Sequence, residues 1–447
     1  MGRLFGTDGA RGVANTELTN ELAMNIGRAA AMVLSRRSEG KPRVFIGMDT
    51  RISSEMLESA LAAGLCSVGC DVLLGGVVPT PATAFLIKKL ECSAGIMISA
   101  SHNPCEYNGI KLFDSEGYKL PDAIENEIES IVLDNSEEYP TPIRGDLGRI
   151  SHVESAVDVY IEHVVSTTDV DFSGIRVALD CANGSSSVTA RKIFESLGAE
   201  CDIINCEPDG VNINDNCGST HIDVLADYVK AGGFDLGLAF DGDADRCLAV
   251  DETGNIVDGD MIIAVVAKFF KDHGRLKNNT AVMTVMSNLG FFKFAEKNGI
   301  NVPKTKVGDR YVLEEMKRGG HCIGGEQSGH IIFLDYASTG DGQLSGVQLM
   351  SIIKKTGKKL SELASEMVKF PQVMVNIKTT NDIKAVFMSD ERVTNAIDAA
   401  EKRLAGDGRV LVRASGTEPL IRVMIEGMDE QLITDCAESI ADVIRSL

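Results

Sequence analysis

The run Leu236-Gly237-Leu238-Ala239-Phe240 passes directly into Asp241-Gly242-Asp243-Ala244-Asp245-Arg246. Five small or apolar residues without polar alternation read as a strand covered on both faces, as in the parallel sheets of α/β folds. Three carboxylates at alternate positions then sit at the strand's C-terminal end, where open α/β sheets place their ligands. Such closely spaced anions repel one another, so a cation is the natural occupant. An EF-hand calcium loop competes, because Glu252 falls at its twelfth position; Arg246, however, stands where that loop needs glycine, and a strand precedes the segment instead of a helix. Mg²⁺ is the expected ion, against the alternative of a solvated acidic turn.

Working outward, the same order of elements recurs. Val177–Asp180 and a helix over Val188–Leu197 precede the acidic loop; a helix near Met261–Phe270 and strands at Ala281–Met286 and Cys322–Gly324 follow it. The first ~150 residues carry a helical apolar period at Leu22, Ile26, Ala29 and Val33, then short apolar strands at Val44–Met48, Val72–Leu74 and Gly95–Ile98. Asp134–Ile150, with two prolines and two glycines, reads as a linker. The last ~75 residues change character: Val373, Val375 and Ile377 alternate, a helix runs over Asp390–Leu404 to Gly406, strands follow at Val410–Val412 and Ile421–Ile425, and a helix closes the chain. The fold class is α/β, with domains at 1–150, 151–253, 254–368 and 369–447, the last a small α+β unit. Element order suggests duplication, although no residue-level repeat is visible.

The chain has 447 residues, with 44 Lys plus Arg against 65 Asp plus Glu and a formal charge of −21. That balance disfavours nucleic acid and anionic membranes as partners. No stretch approaches the ~20 apolar residues of a membrane span. Residues 1–6 lack a signal-peptide apolar core, and the eleven cysteines are scattered without a C-x-x-C pair. Reduced thiols and a cytoplasmic location are expected.

Three further segments are polar, glycine-punctuated and placed beside apolar runs. In Ser99-Ala100-Ser101-His102-Asn103-Pro104 the proline stops the strand and leaves Ser101 on a loop, where it caps a helix, forms a turn or acts as a nucleophile with His102 and Lys111 supplying acid-base and cationic groups. Gly324-Gly325-Glu326-Gln327-Ser328-Gly329-His330 offers a carboxylate, an amide, a hydroxyl and an imidazole to a polyol, or is a turn with a structural histidine. Arg413-Ala414-Ser415-Gly416-Thr417-Glu418-Pro419, with Arg422 beyond it, combines arginines, hydroxyls and a glycine, which suits an anion better than a plain hairpin turn. The glycine-rich opening Phe5–Gly12 is no nucleotide P-loop, but its Arg11 is a candidate phosphate ligand.

In this order and spacing the segments FGTDGARG (5–12), SASHNP (99–104), DGDADR (241–246), GEQSGH (325–330) and RASGTEPLIR (413–422) resemble the α-D-phosphohexomutase superfamily over essentially the whole chain, and its amino-sugar branch most closely. The resemblance implies a four-domain architecture of three similar α/β domains with mixed sheets and a smaller C-terminal α+β domain around a central cleft. It implies a phosphoserine at Ser101, with Asp241, Asp243, Asp245 and Ser101 holding Mg²⁺. Arg11, His102, Lys111, Arg246 and His330 become groups near the reacting phosphoryl and hydroxyl; Glu326 and Ser328 become sugar ligands; and Arg413, Ser415, Gly416, Thr417 and Arg422 become a phosphate clamp. The implied reaction interconverts glucosamine 6-phosphate and glucosamine 1-phosphate through a sugar 1,6-bisphosphate, supplying amino-sugar nucleotides and the cell wall. A homodimer is the implied assembly. In Lys306-Val307-Gly308-Asp309-Arg310 the phosphomannomutase/phosphoglucomutase branch has histidine where this chain has Asp309, which disfavours mannose or glucose phosphate and suits a substrate ammonium. That branch is the first alternative; a metal-dependent phosphatase and a catalytically dead binder on the same fold follow.

Overall fold

Three mixed sheets share one local plan, in which a parallel strand turns back through a polar loop into an antiparallel partner. The computed structural model describes residues 3–6, 8–36, 40–415 and 419–447. The first sheet has the order Ala10–Val13, Tyr107–Asp114, Ala94–Ile98, Arg43–Met48, Asp71–Val77, Ile150–His152. Ala94–Ile98 lies parallel to Arg43–Met48 and antiparallel to Tyr107–Asp114, so the segment 99–106 makes the reversal. The second sheet runs Ile256–Val257, Cys247–Asp251, Leu236–Phe240, Arg176–Asp180, Glu200–Ile204. There Leu236–Phe240 is parallel to Arg176–Asp180 and antiparallel to Cys247–Asp251, with 241–246 at the reversal. In the third, Lys304–Thr305, Ala281–Thr284, Ile323–Gly325, Ile331–Phe333, the reversal falls at 326–330. The duplication suspected from element order is therefore topological.

Burial explains why these runs are strands. Every residue of Ala94–Ile98, Leu236–Phe240 and Ala281–Thr284 is buried, as expected of central strands flanked by others and covered by helices. The helix Asn20–Ser35 starts where the Thr19 side chain accepts from the Leu22 amide, and it buries Ala23, Ile26, Ala29, Ala30 and Val33. It packs closely on Ile52–Ser67, because a Cβ at Gly27 would lie 2.8 Å from the Leu61 carbonyl oxygen and one at Gly64 2.2 Å from that of Met24.

By contacts the chain divides into two units: Met1–Met286 with Gly299–Glu366, which holds the three mixed sheets, and Ser287–Asn298 with Met367–Leu447. The second unit carries an antiparallel sheet ordered Gln372–Lys378, Leu420–Gly427, Gly408–Ala414, backed by helices Glu391–Leu404 and Glu430–Arg445. The helix expected over Val188–Leu197 is shorter, Ala190–Ser196, with a 3₁₀ turn at Ser185–Val188. Glu391–Leu404 closes on Ala405 in the left-handed region (φ 49°), one residue before Gly406. Among the described residues no helix is long and apolar enough to cross a membrane.

Candidate active site

The three reversal loops of the first unit meet. Ser101 Oγ donates to Asp241 Oδ2 at 2.7 Å, and Ser101 is only 2 % exposed. No helix follows the serine, so it caps nothing. Its φ of 52° is in the left-handed region, a conformation that costs an L-residue about 1–3 kcal/mol and persists only when neighbours enforce it. Here the Ser99 hydroxyl accepts from the Ser101 amide, while Arg51 and Asn214 donate to the Ser101 carbonyl.

Asp241, Asp243 and Asp245 are all buried, and each offers a carboxylate oxygen within 4.8 Å of the others. Their loop follows a strand, and Glu252 accepts from Ser361, so no EF-hand forms. Lys111 Nζ donates to Asp243 Oδ2 at 2.6 Å, and Thr80 Oγ1 donates to the same oxygen at 2.5 Å. Asp243 Oδ1 and Asp245 Oδ1 are buried without a hydrogen-bond partner among the described residues. Burial, then the neighbouring Asp245 and Asp243, pushes the Asp241 carboxyl up to about 8. A cluster with orphaned oxygens and one carboxyl driven toward protonation by burial and by its neighbours fits a hard divalent cation with oxygen ligands.

Donors face this anionic cluster. Arg246 Nη1 donates to His102 Nδ1 at 3.1 Å, and Ser101 Oγ lies 3.4 Å from the same nitrogen. Burial and the Arg246 and Arg11 charges lower the His102 pKa to about 4, so the ring is neutral. Arg11 Nη2 is 3.3 Å from Asp8, yet Arg11 Nε and Nη2 and Arg246 Nε make no hydrogen bond among the described residues. Buried N–H groups without acceptors, beside a serine hydroxyl, suit the oxygens of a phosphoryl group. Burial works against the Lys111 charge, but Asp243, Asp245 and Asp8 outweigh it and raise its pKa.

The segment 325–330 forms the third side. Cys247 N donates to the Gly329 carbonyl at 3.0 Å, and Arg246 bridges His330 through the backbone. The buried His330 ring places Nδ1 3.6 Å from Asp245 and Nε2 3.7 Å from Asp309. Burial disfavours its charge, but Asp245, Asp309 and Glu326 raise the pKa; the Gly340 amide, which donates to Nε2 at 3.0 Å, works against that. Glu326 Oε1 accepts from the Gly308 amide, and Ser328 is exposed at the tip of the turn. Asp309 accepts from Lys119 Nζ at 2.6 Å, and Lys119 also reaches Asp8 at 2.9 Å.

Arg413, Ser415 and Arg422 belong to the second unit. Arg413 and Arg422 are direct cross-strand neighbours, and burial together with Arg422 lowers the Arg413 pKa. Like charges placed opposite destabilise a ladder, and an anion relieves them. Ser415 donates its amide to the Leu420 carbonyl across the hairpin. Gly416 and Thr417 lie outside the described residues.

Four family models match the chain in succession: phosphoglucomutase/phosphomannomutase alpha/beta/alpha domain I at residues 2–139, domain II at 158–254, domain III at 258–370 and the C-terminal domain at 374–443. The chain belongs to the phosphoglucomutase/phosphomannomutase family. Among its relatives are phosphoglucosamine mutases of Clostridium novyi and Acetivibrio thermocellus, 57 % and 55 % identical over 445 residues, spanning 100 % of this chain and 99 % of each relative. Among solved structures, a phosphoglucomutase/phosphomannomutase family protein from Burkholderia thailandensis superposes with a TM-score of 0.81 at 24 % identity, covering 99 % of this chain and 97 % of that one. An Aspergillus fumigatus N-acetylphosphoglucosamine mutase, solved with GlcNAc-6P and magnesium, gives 0.71 at 19 % identity, covering 99 % and 95 %. Both share the family's four-domain fold.

Several residues of this phosphoglucomutase/phosphomannomutase site escape sequence reasoning: Asp8, Asp49, Arg51, Thr80, Ser99, Lys119 and Asn214. The one local signal is Asp49-Thr50-Arg51, a polar triplet at the C-terminal end of the buried strand Arg43–Met48.

Proposed function

We propose that the chain interconverts glucosamine 6-phosphate and glucosamine 1-phosphate, with Ser101 as the phosphorylated residue. The observation that carries this reading is the Ser101 hydroxyl aimed at a buried three-carboxylate cluster, in a chain whose full-length relatives bear the name of that activity. A phosphoryl group on Ser101 passes to the free hydroxyl of the substrate, giving a 1,6-bisphosphate; the sugar turns round and its other phosphate returns to Ser101. Arg11 and Arg246 offer the phosphoryl oxygens N–H groups that have no partner among the described residues, and Lys111 stays charged beside them. Neutral His102 holds the Arg246 guanidinium in place. Asp241, Asp243 and Asp245, with the modified serine, would hold Mg²⁺, which would supply neutralisation of charge on the transferring group. Glu326, Ser328 and Asp309 lie along the remaining side and are assigned to the sugar, and His330 beside them to acid-base work at the reacting hydroxyl. Arg413, Ser415, Gly416, Thr417 and Arg422 are assigned to a phosphate.

The same reading includes the domain boundaries 1–150, 151–253, 254–368 and 369–447, a homodimer, and a reducing cytoplasm, which suits eleven cysteines that form no disulfide. The test is mass spectrometry for phosphate on Ser101 beside glucosamine 1-phosphate formation by wild type and Ser101→Ala. A phosphorylated serine and turnover that collapses in the variant support the mutase. Unmodified Ser101, unimpaired Ser101→Ala and release of inorganic phosphate would point to a metal-dependent phosphatase.

A further inference from the structure

Behind the Ser101 loop lies a buried guanidinium that touches none of the groups just assigned to substrate. Arg51 has a fully buried side chain paired with Asp49 at 3.0 Å. Its N–H groups point at one short stretch of backbone: Nη1 to the Pro104 carbonyl at 2.6 Å, and Nη2 to the carbonyls of Ser101 and Asn103, both at 2.9 Å. Asp49 extends the grip, accepting from the Ser99 hydroxyl at 2.6 Å, which in turn accepts from the Ser101 amide. From the second sheet's side, Asn214 Nδ2 donates to the same two carbonyls, Ser101 at 2.9 Å and Asn103 at 3.1 Å. Two carbonyl oxygens thus have both lone pairs taken by donors that arrive from residues 51 and 214.

This arrangement does more than satisfy a buried charge. Asp49 alone would neutralise Arg51, whereas the other bonds land on the carbonyl of a strained serine whose φ is 52° and on those of Asn103 and Pro104 just after it. The hydroxyl that results points at Asp241, 140 positions away in sequence. We propose that Arg51 and Asn214 are positioning residues, a two-sided clamp that fixes the aim of Ser101 Oγ and thereby sets the rate of phosphoryl transfer without contributing to substrate binding. The proposal rests on the phosphoserine reading above. A misplacement of the donor oxygen slows transfer steeply, since reacting atoms must be held near the productive geometry.

The test compares wild type, Arg51→Lys, Asn214→Ala and the double variant, with sugar 1,6-bisphosphate saturating so that phosphorylation of Ser101 does not limit turnover. A lysine keeps the charge on Asp49 but cannot reach three carbonyls with a planar fork. Each single variant should lose about 10- to 100-fold in kcat, with KM for glucosamine 6-phosphate within about 3-fold of wild type. Single-turnover transfer from pre-phosphorylated enzyme should slow by the same factor, and the double variant should lose less than the product of the two. Thermal melting reports the folded fraction; if Arg51→Lys does not accumulate as folded protein, Asn214→Ala carries the same comparison. Both folded variants turning over within about 2-fold of wild type, with only a lower melting temperature, would overturn the clamp while leaving the phosphoserine intact. Wild type with no phosphate on Ser101 and full activity in Ser101→Ala would instead remove the reading beneath it, and the clamp with it.

Discussion

Gly242 lies against Ser101: a Cβ built on the glycine would sit 2.6 Å from the serine's carbonyl oxygen and 2.8 Å from Asn214 Nδ2. The acidic loop and the serine loop are therefore held at backbone contact, and the glycine is what permits it. This closeness is what lets a hydroxyl on one domain's loop reach a carboxylate on the next.

Gly242→Ala should separate the two loops. The obstructing atoms are backbone and a clamped amide, so the loops must shift by several tenths of an ångström. We expect kcat for glucosamine 6-phosphate to fall at least about 10-fold with the protein still folded, read by steady-state kinetics beside a thermal melt. An unchanged kcat would mean the spacing is not used.

Removing divalent ions should abolish turnover, and Mg²⁺ should restore it. Asp243 Oδ1 and Asp245 Oδ1 have no partner among the described residues, and burial with the two neighbouring carboxylates pushes Asp241 up to about 8, so a bound cation relieves repulsion as well as adding bonds. At 100 times Kd the ion stabilises the native state by about 2.7 kcal/mol. A Mg²⁺-dependent rise in melting temperature should therefore appear in wild type and be lost in Asp243→Asn.

Cys206 should be the thiol that alkylates first near pH 7. The neighbouring Cys181 thiol pulls its pKa down to about 6, against partial burial and against the bond that the Cys206 thiol itself donates to the Ser187 carbonyl at 3.6 Å. Cys181, fully buried, is raised well above the ordinary range, and the other resolved cysteine shifts are also upward. Iodoacetamide labelling followed by peptide mapping should find Cys206 dominant, and Cys181→Ala, which deletes the donor, should slow that labelling about 10-fold.

The residues legible in the sequence were those whose chemistry is local. Asp241, Asp243 and Asp245 announce a cation because three carboxylates within five positions have few other uses, and Leu236–Phe240 announces a central strand because every position is apolar or small. Arg51 and Asn214 were invisible because their partners are the carbonyls of residues 50 to 113 positions away, and carbonyls leave no mark on a sequence. Lys119 escaped for a different reason: its carboxylate partner Asp309 lies 190 positions on, and nothing local links the two. The recurring order of elements, with a polar segment after a strand in each unit, was legible; the antiparallel return that follows each of those loops was not, since strand direction leaves no residue pattern.

Glu125 should make stability depend on pH. Burial, helped by Asp122, raises its pKa to about 7, above that of an unfolded glutamate. The native state thus binds the proton more tightly, so stability is lost as pH climbs from about 4.5 through 7. Glu125→Gln removes that loss. Because the carboxyl is partly exposed, solvent screening reduces the effect to about 1 kcal/mol. Denaturant melts should show the variant more stable than wild type at pH 8 and nearly equal to it at pH 5.

Asp309 offers the clearest route to substrate choice. In the free protein its carboxylate is met by Lys119 at 2.6 Å and lies 3.7 Å from His330, at the edge of the site where the sugar is assigned. A substrate ammonium would share a carboxylate already held in place by Lys119, whose own charge Asp309 and Asp8 secure against the cost of burial. A neutral hydroxyl at the same ring position gains less from that carboxylate, because a charge-assisted hydrogen bond is roughly twice as strong as a neutral one. Asp309→Ala should therefore raise KM for glucosamine phosphate more than for glucose phosphate, by about 10-fold in the ratio. Lys119→Met should lower activity on both sugars, since it leaves Asp8 and Asp309 as uncompensated neighbours. Equal losses on the two sugars in Asp309→Ala would assign the residue to holding Lys119 instead of reading the amino group.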